Sequence, residues 1–291
     1  MKMRAIFMIL FLAFGLFGYE IDHENWGKFY KFDGVADGAK FEIYLSYFEN
    51  EFENFKPGEN FQILPKISGH AFFNGAKFDF DKGKMEQNGT KISALCVQSE
   101  WLNLDVKAQG EELAGKIIIK NKAYKATLKR TANYEILALG VQLVQNGKRF
   151  DAIVSDFFSP KFSKKYKNEL KSELDALKQA WLAKDADSAS VSQNLEPFYQ
   201  NDKIKNLCLT KNKTLKICDL ISQKTQKKIK LNQIFKDLND ENLKQIFAKF
   251  DVKTDIIFTL SPIGLTFYDE GEKSVPLDAI KPFLSENFGL F

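Results

Sequence analysis

The sequence predicts an α+β protein, with an N-terminal antiparallel β meander or open barrel followed by an antiparallel sheet with helices packed on one face. Three observations carry this. Residues 28–130 alternate apolar and polar side chains over short runs, with turn signals between them and no helical period. Near residue 131 the pattern changes, and two segments with helical spacing enter among further strands. The length, 291 residues, accommodates two domains. The chain divides into a leader (1–18), a β module (19–130) and an α+β domain (131–291).

Lys2 and Arg4 precede an apolar run, Ala5 to Phe17, of 13 residues. A helix needs about 20 residues to span a bilayer. With Gly15 and Gly18 as small cleavage points, this reads as a secretory signal peptide cleaved after Gly18 or Gly15, the alternative being an uncleaved anchor. No Cys adjoins the site for lipid attachment, and no later apolar run reaches spanning length. The expected location is the periplasm, with no transmembrane segment after cleavage.

In the β module, Phe41, Ile43, Leu45 and Tyr47 share one side of a strand. Turns follow at 56–60, 73–77, 81–90, 108–115 and 120–124, and further strands read at 91–98, 115–120 and 124–130. Beyond 131, residues 133–144 and 148–158 form a pair joined by an Asn-Gly turn. Phe162, Tyr166, Leu170, Leu174, Leu177 and Trp181 line one helical face, with Ser159 as cap and Pro160 at the first position. Residues 185–194 read as a polar linker, and 206–220 as a hairpin. Leu243, Ile246, Phe247 and Phe250 mark a second helix, capped by Asn239 or Asp240. The strand ending at Leu260 turns at Pro262 and Gly264 into 265–268.

Lys228, Leu231, Ile234, Phe235, Lys236 and Asp237, with the ending Phe258, Leu260, Gly264, Leu265, Phe267, Tyr268, Val275, Pro276, Leu277 and Leu284, resemble motifs of the extracytoplasmic DUF3298 family. The resemblance covers residues 134–291. Gln226 and Lys227 stand where the family has Gly-Lys, and two of its characteristic loops are shortened here to 210–214 and 269–273. The resemblance implies a sensing or binding module, as in the ectodomain of lysozyme-sensing anti-sigma factors. The shortened loops weigh against carrying lysozyme binding over.

Charge is uneven. Residues 19–110 hold 10 Lys+Arg against 15 Asp+Glu, and residues 161–230 hold 16 against 8. A basic face suits an anionic wall polymer, a membrane surface or an acidic partner, or is simply solvated; nucleic acid does not suit an exported chain. Cys208 and Cys218 share a hairpin face and fall opposite each other if the loop centres on Lys213, giving either a disulfide or two small buried thiols. Cys96 reads as core. His23 and His70 are the two histidines. His70 reads as an edge or surface residue, with no partnered nucleophile motif. Asp79 and Asp81 are the one suggestion of a metal site, against an ordinary wet strand face. Glu49, Glu51, Glu53 and Glu59 with Phe48, Phe52 and Phe55 read either as a sugar-binding surface or as aromatics packed inward. Glu86, Asn88 and Thr90 match the extended bacterial N-glycosylation acceptor, within an Asn-Gly turn.

The residues thus read as a non-enzymatic periplasmic binding or envelope-maintenance protein, without cofactor, whose partner is an envelope protein or wall polymer. The alternatives are a wall-glycan enzyme working through carboxylates and a lysozyme sensor or inhibitor.

Overall fold

The structure is a computed structural model and describes residues 19–48, 66–158, 163–184, 188–212, 215–253, 257–268, 271–286 and 288–290. The leader, the Ser159–Pro160 cap with Phe162, and the Glu49–Glu59 segment with Phe52 and Phe55 lie outside these residues.

The first half is a meander that closes on itself. Its strands are β1 (Tyr19–Ala36), β2 (Ala39–Phe48), β3 (Ile67–Phe73), β4 (Ala76–Phe80), β5 (Lys82–Asn88), β6 (Lys91–Gln98), β7 (Leu102–Gln109), β8 (Glu112–Ile119) and β9 (Lys122–Gln145). Sequential neighbours pair antiparallel, β9 returns to β1, and β4 runs into β5 through Asp81 as one kinked strand. Eight strands around a barrel leave an interior that side chains can fill. Phe32, Phe41, Ile43, Leu45, Leu95, Leu104 and Ile117 are among those that fill it, each essentially inaccessible to water. β7 alternates buried and exposed because its outer face meets water. β2 is buried on both faces from Phe41 to Phe48 because the rest of the chain covers its outside.

β1 and β9 are long and outrun the barrel. Residue 131 lies inside β9, so residues 122–145 are one strand serving both halves. A β-bulge marks the exit: Lys31 pairs with Ala132 and Phe32 with Arg130, which leaves Thr131 unpaired. Below the bulge the sheet continues through β10 (Lys148–Phe158), β11 (Ala189–Gln200), β12 (Ile204–Lys211) and β13 (Leu215–Ser222). Asn146 and Gly147, both at positive φ, turn β9 into β10.

Helix α1 (Ser163–Ala183) crosses from β10 to β11, which pair parallel. This corrects two expectations. The sheet is mixed rather than antiparallel throughout, and the expected linker is strand from Ala189 onward, its backbone satisfied by the β10 ladder. Leu170, Leu174 and Trp181 of α1 pack on Leu137, Leu139, Val141 and Phe150, with Trp181 stacked on Phe150 at 5.3 Å.

Helix α2 (Leu231–Ile234), helix α3 (Glu241–Lys249), a three-stranded sheet of β14 (Ile257–Ser261), β15 (Gly264–Tyr268) and β16 (Glu272–Pro276), and helix α4 (Leu277–Ile280) lie on the opposite face, against Ile136, Ala138 and Ile153. Helices therefore occupy both faces, not one: β9 and β10 bury alternate side chains in both directions. The molecule is mostly sheet with few helices, and α+β describes it only loosely. Asp240 caps α3, accepting from the amides of Asn242 and Leu243. Leu260, Leu265, Phe267 and Val275 are core.

Candidate functional site

The second half is fastened to the outer wall of the barrel by a second bulge. β11 pairs Pro197 with Leu207 and Tyr199 with Asn206, so Phe198 is the extra residue. Phe198 lands on β3, where the His70 ring is stacked between Tyr44 (5.0 Å) and Phe198 (5.2 Å). His70 Nε2 donates to the Phe198 carbonyl at 2.6 Å. His70 is thus buried at a seam, a correction to the expected edge histidine: its wet-looking face is the one the second half covers. Tyr44 Oη donates to the Gln200 carbonyl (3.0 Å) and accepts from the Gln200 amide (3.1 Å), pairing a side chain with a strand end.

Beside this seam lies a cleft of about 500 Å³. The barrel side supplies Lys31, Asp33, Lys40 and Glu42, and the bulge adds Thr131. The far side supplies Gln200, Asn201, Asp202 and Gln223. Among the described residues, Ala132 is the one apolar side chain in the lining. Asp33 and Glu42 are directly opposed across β1 and β2, which brings Cβ atoms to about 5 Å. The Lys31 ammonium joins them, 2.8 Å from Asp33 Oδ1 and 3.4 Å from Glu42 Oε1. Lys40 approaches Glu42 Oε2 at 3.5 Å, and Thr131 Oγ1 donates to Asp33 Oδ2 at 2.7 Å. Glu42 is 2% exposed. Burial raises its carboxyl above the usual range, outweighing both lysines, and burial raises the Tyr44 phenol well above its usual value.

Asn201 shapes the far wall. Its Oδ1 accepts from the amides of Lys203 and Ile204, and its Nδ2 donates to the carbonyls of Phe288 and Gly289. The chain near its end is thereby tied to the start of β12.

The other expected site residues scatter. Cys208 and Cys218 are directly opposed in the β12–β13 hairpin and joined as a disulfide, buried in the core that faces the three-stranded sheet. Cys96, expected in the core, lies half-exposed on the outer barrel wall, its thiol raised by burial. The bulge at Ser93 moves Leu95 and Val97 inside and so turns Cys96 out. Asp79 and Asp81 are exposed, Asp79 paired with Lys77. Among the described residues no three His, Cys, Asp or Glu gather to hold a metal ion. His23 is half-buried on β1, well along the strand from the cleft. Phe48 packs in the core. Asn88 is exposed at the end of β5.

Lys31, Asp33 and Glu42 were not singled out from the sequence. One signal was present: Glu42 is the lone acid in the apolar run Phe41–Phe48, and an acid there must be paired.

No known protein family and no curated protein matches this chain. No helix among the described residues is long and apolar enough to cross a membrane.

Proposed function

We propose that this chain is an exported, non-enzymatic binding protein of the cell envelope, and that the cleft between the barrel wall and β11 takes a polar saccharide fragment of the wall. The observation that carries the reading is the lining. Its side chains present ammonium groups, carboxylates, planar amides and a hydroxyl, and among the described residues Ala132 is the one apolar side chain lining it. Such a set offers donors and acceptors in alternation, which suits a polyhydroxylated ligand and not an apolar one. Two bulges and the Lys31 ion pairs hold these groups in place before a ligand arrives. The disulfide is compatible with an oxidising compartment. The resemblance to DUF3298 domains favours binding over catalysis, but many of its residues, such as Leu260 and Phe267, are packing residues and name no ligand. Calorimetric titration of the mature chain with soluble wall glycopeptide fragments tests this. Saturable binding, weakened at least tenfold in Lys40→Ala/Gln223→Ala, is expected; no binding to the wild type refutes it.

A second reading rests on the opposed Asp33 and Glu42, with Glu42 raised as a general acid requires. The Lys31 ammonium between them opposes it, because a sugar must occupy that space. Release of reducing ends from purified wall, abolished by Glu42→Gln, would favour the enzyme.

A further inference from the structure

We propose that Asn88 is the acceptor of an N-linked glycan, transferred from a lipid-pyrophosphate-linked oligosaccharide. The transfer forms a bond between Asn88 Nδ2 and the anomeric carbon. The bond from that carbon to the pyrophosphate oxygen breaks, the electron pair leaves with the lipid pyrophosphate, and the amide proton passes to a base of the transferase.

The sequence match is Glu86, Asn88 and Thr90, an acid two residues before the asparagine and a hydroxyl two after. The structure adds what the match cannot. Asn88 closes β5 and pairs with Lys91 at the start of β6, so Gly89 and Thr90 form a two-residue hairpin tip, with Gly89 at φ 59°. Glu86, Asn88 and Thr90 are all exposed. The tip is held by groups other than the three acceptor side chains: the Glu86 carbonyl accepts from Ser93 Oγ at 3.1 Å, the Gln87 side-chain oxygen accepts from Tyr30 Oη at 3.1 Å, and the Thr90 carbonyl accepts from the Arg130 guanidinium at 2.8 Å. Among the described residues, the Glu86 carboxylate, the Asn88 carboxamide and the Thr90 hydroxyl enter no hydrogen bond or ion pair. The three groups that a transferase must grip are therefore presented together and uncommitted.

The chain carries its own control. Asn212, Lys213 and Thr214 also satisfy the short acceptor pattern. Thr210 stands where the acid would be, and the Asn212 carboxamide oxygen accepts from the Ser192 amide at 2.9 Å. Asn212 is occupied in holding the β11–β12 register; Asn88 is not. A glycan on Asn88 would stand at the rim of the barrel, beside a cavity of about 400 Å³ that Thr90 and Lys91 help to line.

The test incubates the full mature chain with a bacterial oligosaccharyltransferase in detergent and its lipid-linked oligosaccharide, with an acceptor peptide as positive control. Intact mass and peptide mapping read the product. One glycan on the Asn88 peptide is expected, absent from Asn88→Gln and Thr90→Ala, slowed at least tenfold in Glu86→Ala and unchanged in Asn212→Gln. Circular dichroism confirms that each variant is folded. An unmodified wild-type chain beside a modified control peptide, or a glycan on Asn212, overturns the proposal.

Discussion

Replacing Asp156 by Asn should stabilise the protein, and only at neutral pH. Asp156 lies near the end of β10, with Glu169 and Glu173 of α1 nearby and Lys205 of β12 as the counter-charge. Burial, aided by the two glutamates, pushes its carboxyl from 3.8 up to about 6, against the Phe157 amide that donates to Oδ1 at 2.6 Å. Lys205 gives limited relief: burial lowers its own pKa, and its ammonium sits 4.6 Å from the Phe157 ring centre. The folded state therefore holds the Asp156 proton more tightly than the unfolded chain does. Stability falls as pH rises from 3.8 to about 6, and the full penalty stands above that. At about 1.4 kcal/mol per pKa unit the shift is worth on the order of 3 kcal/mol, and partial solvent screening brings this to about 1–2 kcal/mol. Asn keeps the carbonyl that accepts from Phe157 and cannot ionise. Urea denaturation should show Asp156→Asn more stable by that amount at pH 7.5, with the difference gone by pH 4. A less stable variant, or a gain that does not change with pH, refutes the reasoning.

Other perturbations test the fold and the cleft. Cys208→Ser should cost about 2.5–3 kcal/mol, the chain-entropy value for a loop of this size, and adding reductant to the wild type should produce a similar loss. Gly264→Ala should cost more than about 2 kcal/mol by denaturant midpoint, because φ is +116° and a Cβ would meet the Val275 carbonyl oxygen, which sits in the β15–β16 ladder and cannot move aside. Lys31→Met leaves Glu42 buried with Lys40 alone and should destabilise by about 3 kcal/mol; adding Glu42→Met should restore much of the loss, as a double-mutant cycle would show.

Where pattern and packing shared one period, the fold was readable. The α1 face from Tyr166 to Trp181 and the Cys208–Cys218 register follow from spacing, because helix and hairpin geometry are local. β9 was not readable as one strand. It alternates while it lines the barrel and turns continuously buried from Ile136 to Leu143, where both faces are covered, so one strand resembles two. β11 begins Ala-Ser-Val-Ser, with little apolar signal, and forms because a parallel partner awaits it after α1. Cys96 deceived because a one-residue bulge reverses the phase of a strand. The cleft was least readable, since Lys31–Glu42 and Gln200–Gln223 are joined by packing across more than half the chain.

Chemical-shift mapping with a wall glycopeptide fragment tests the central claim most directly. Perturbations gathered at residues 31–42, 131–132, 200–202 and 223, with the barrel rim at 89–92 and 110–113 unmoved, are the predicted result. Saturating ligand that leaves the cleft unperturbed, or shifts gathered at the rim, would contradict it.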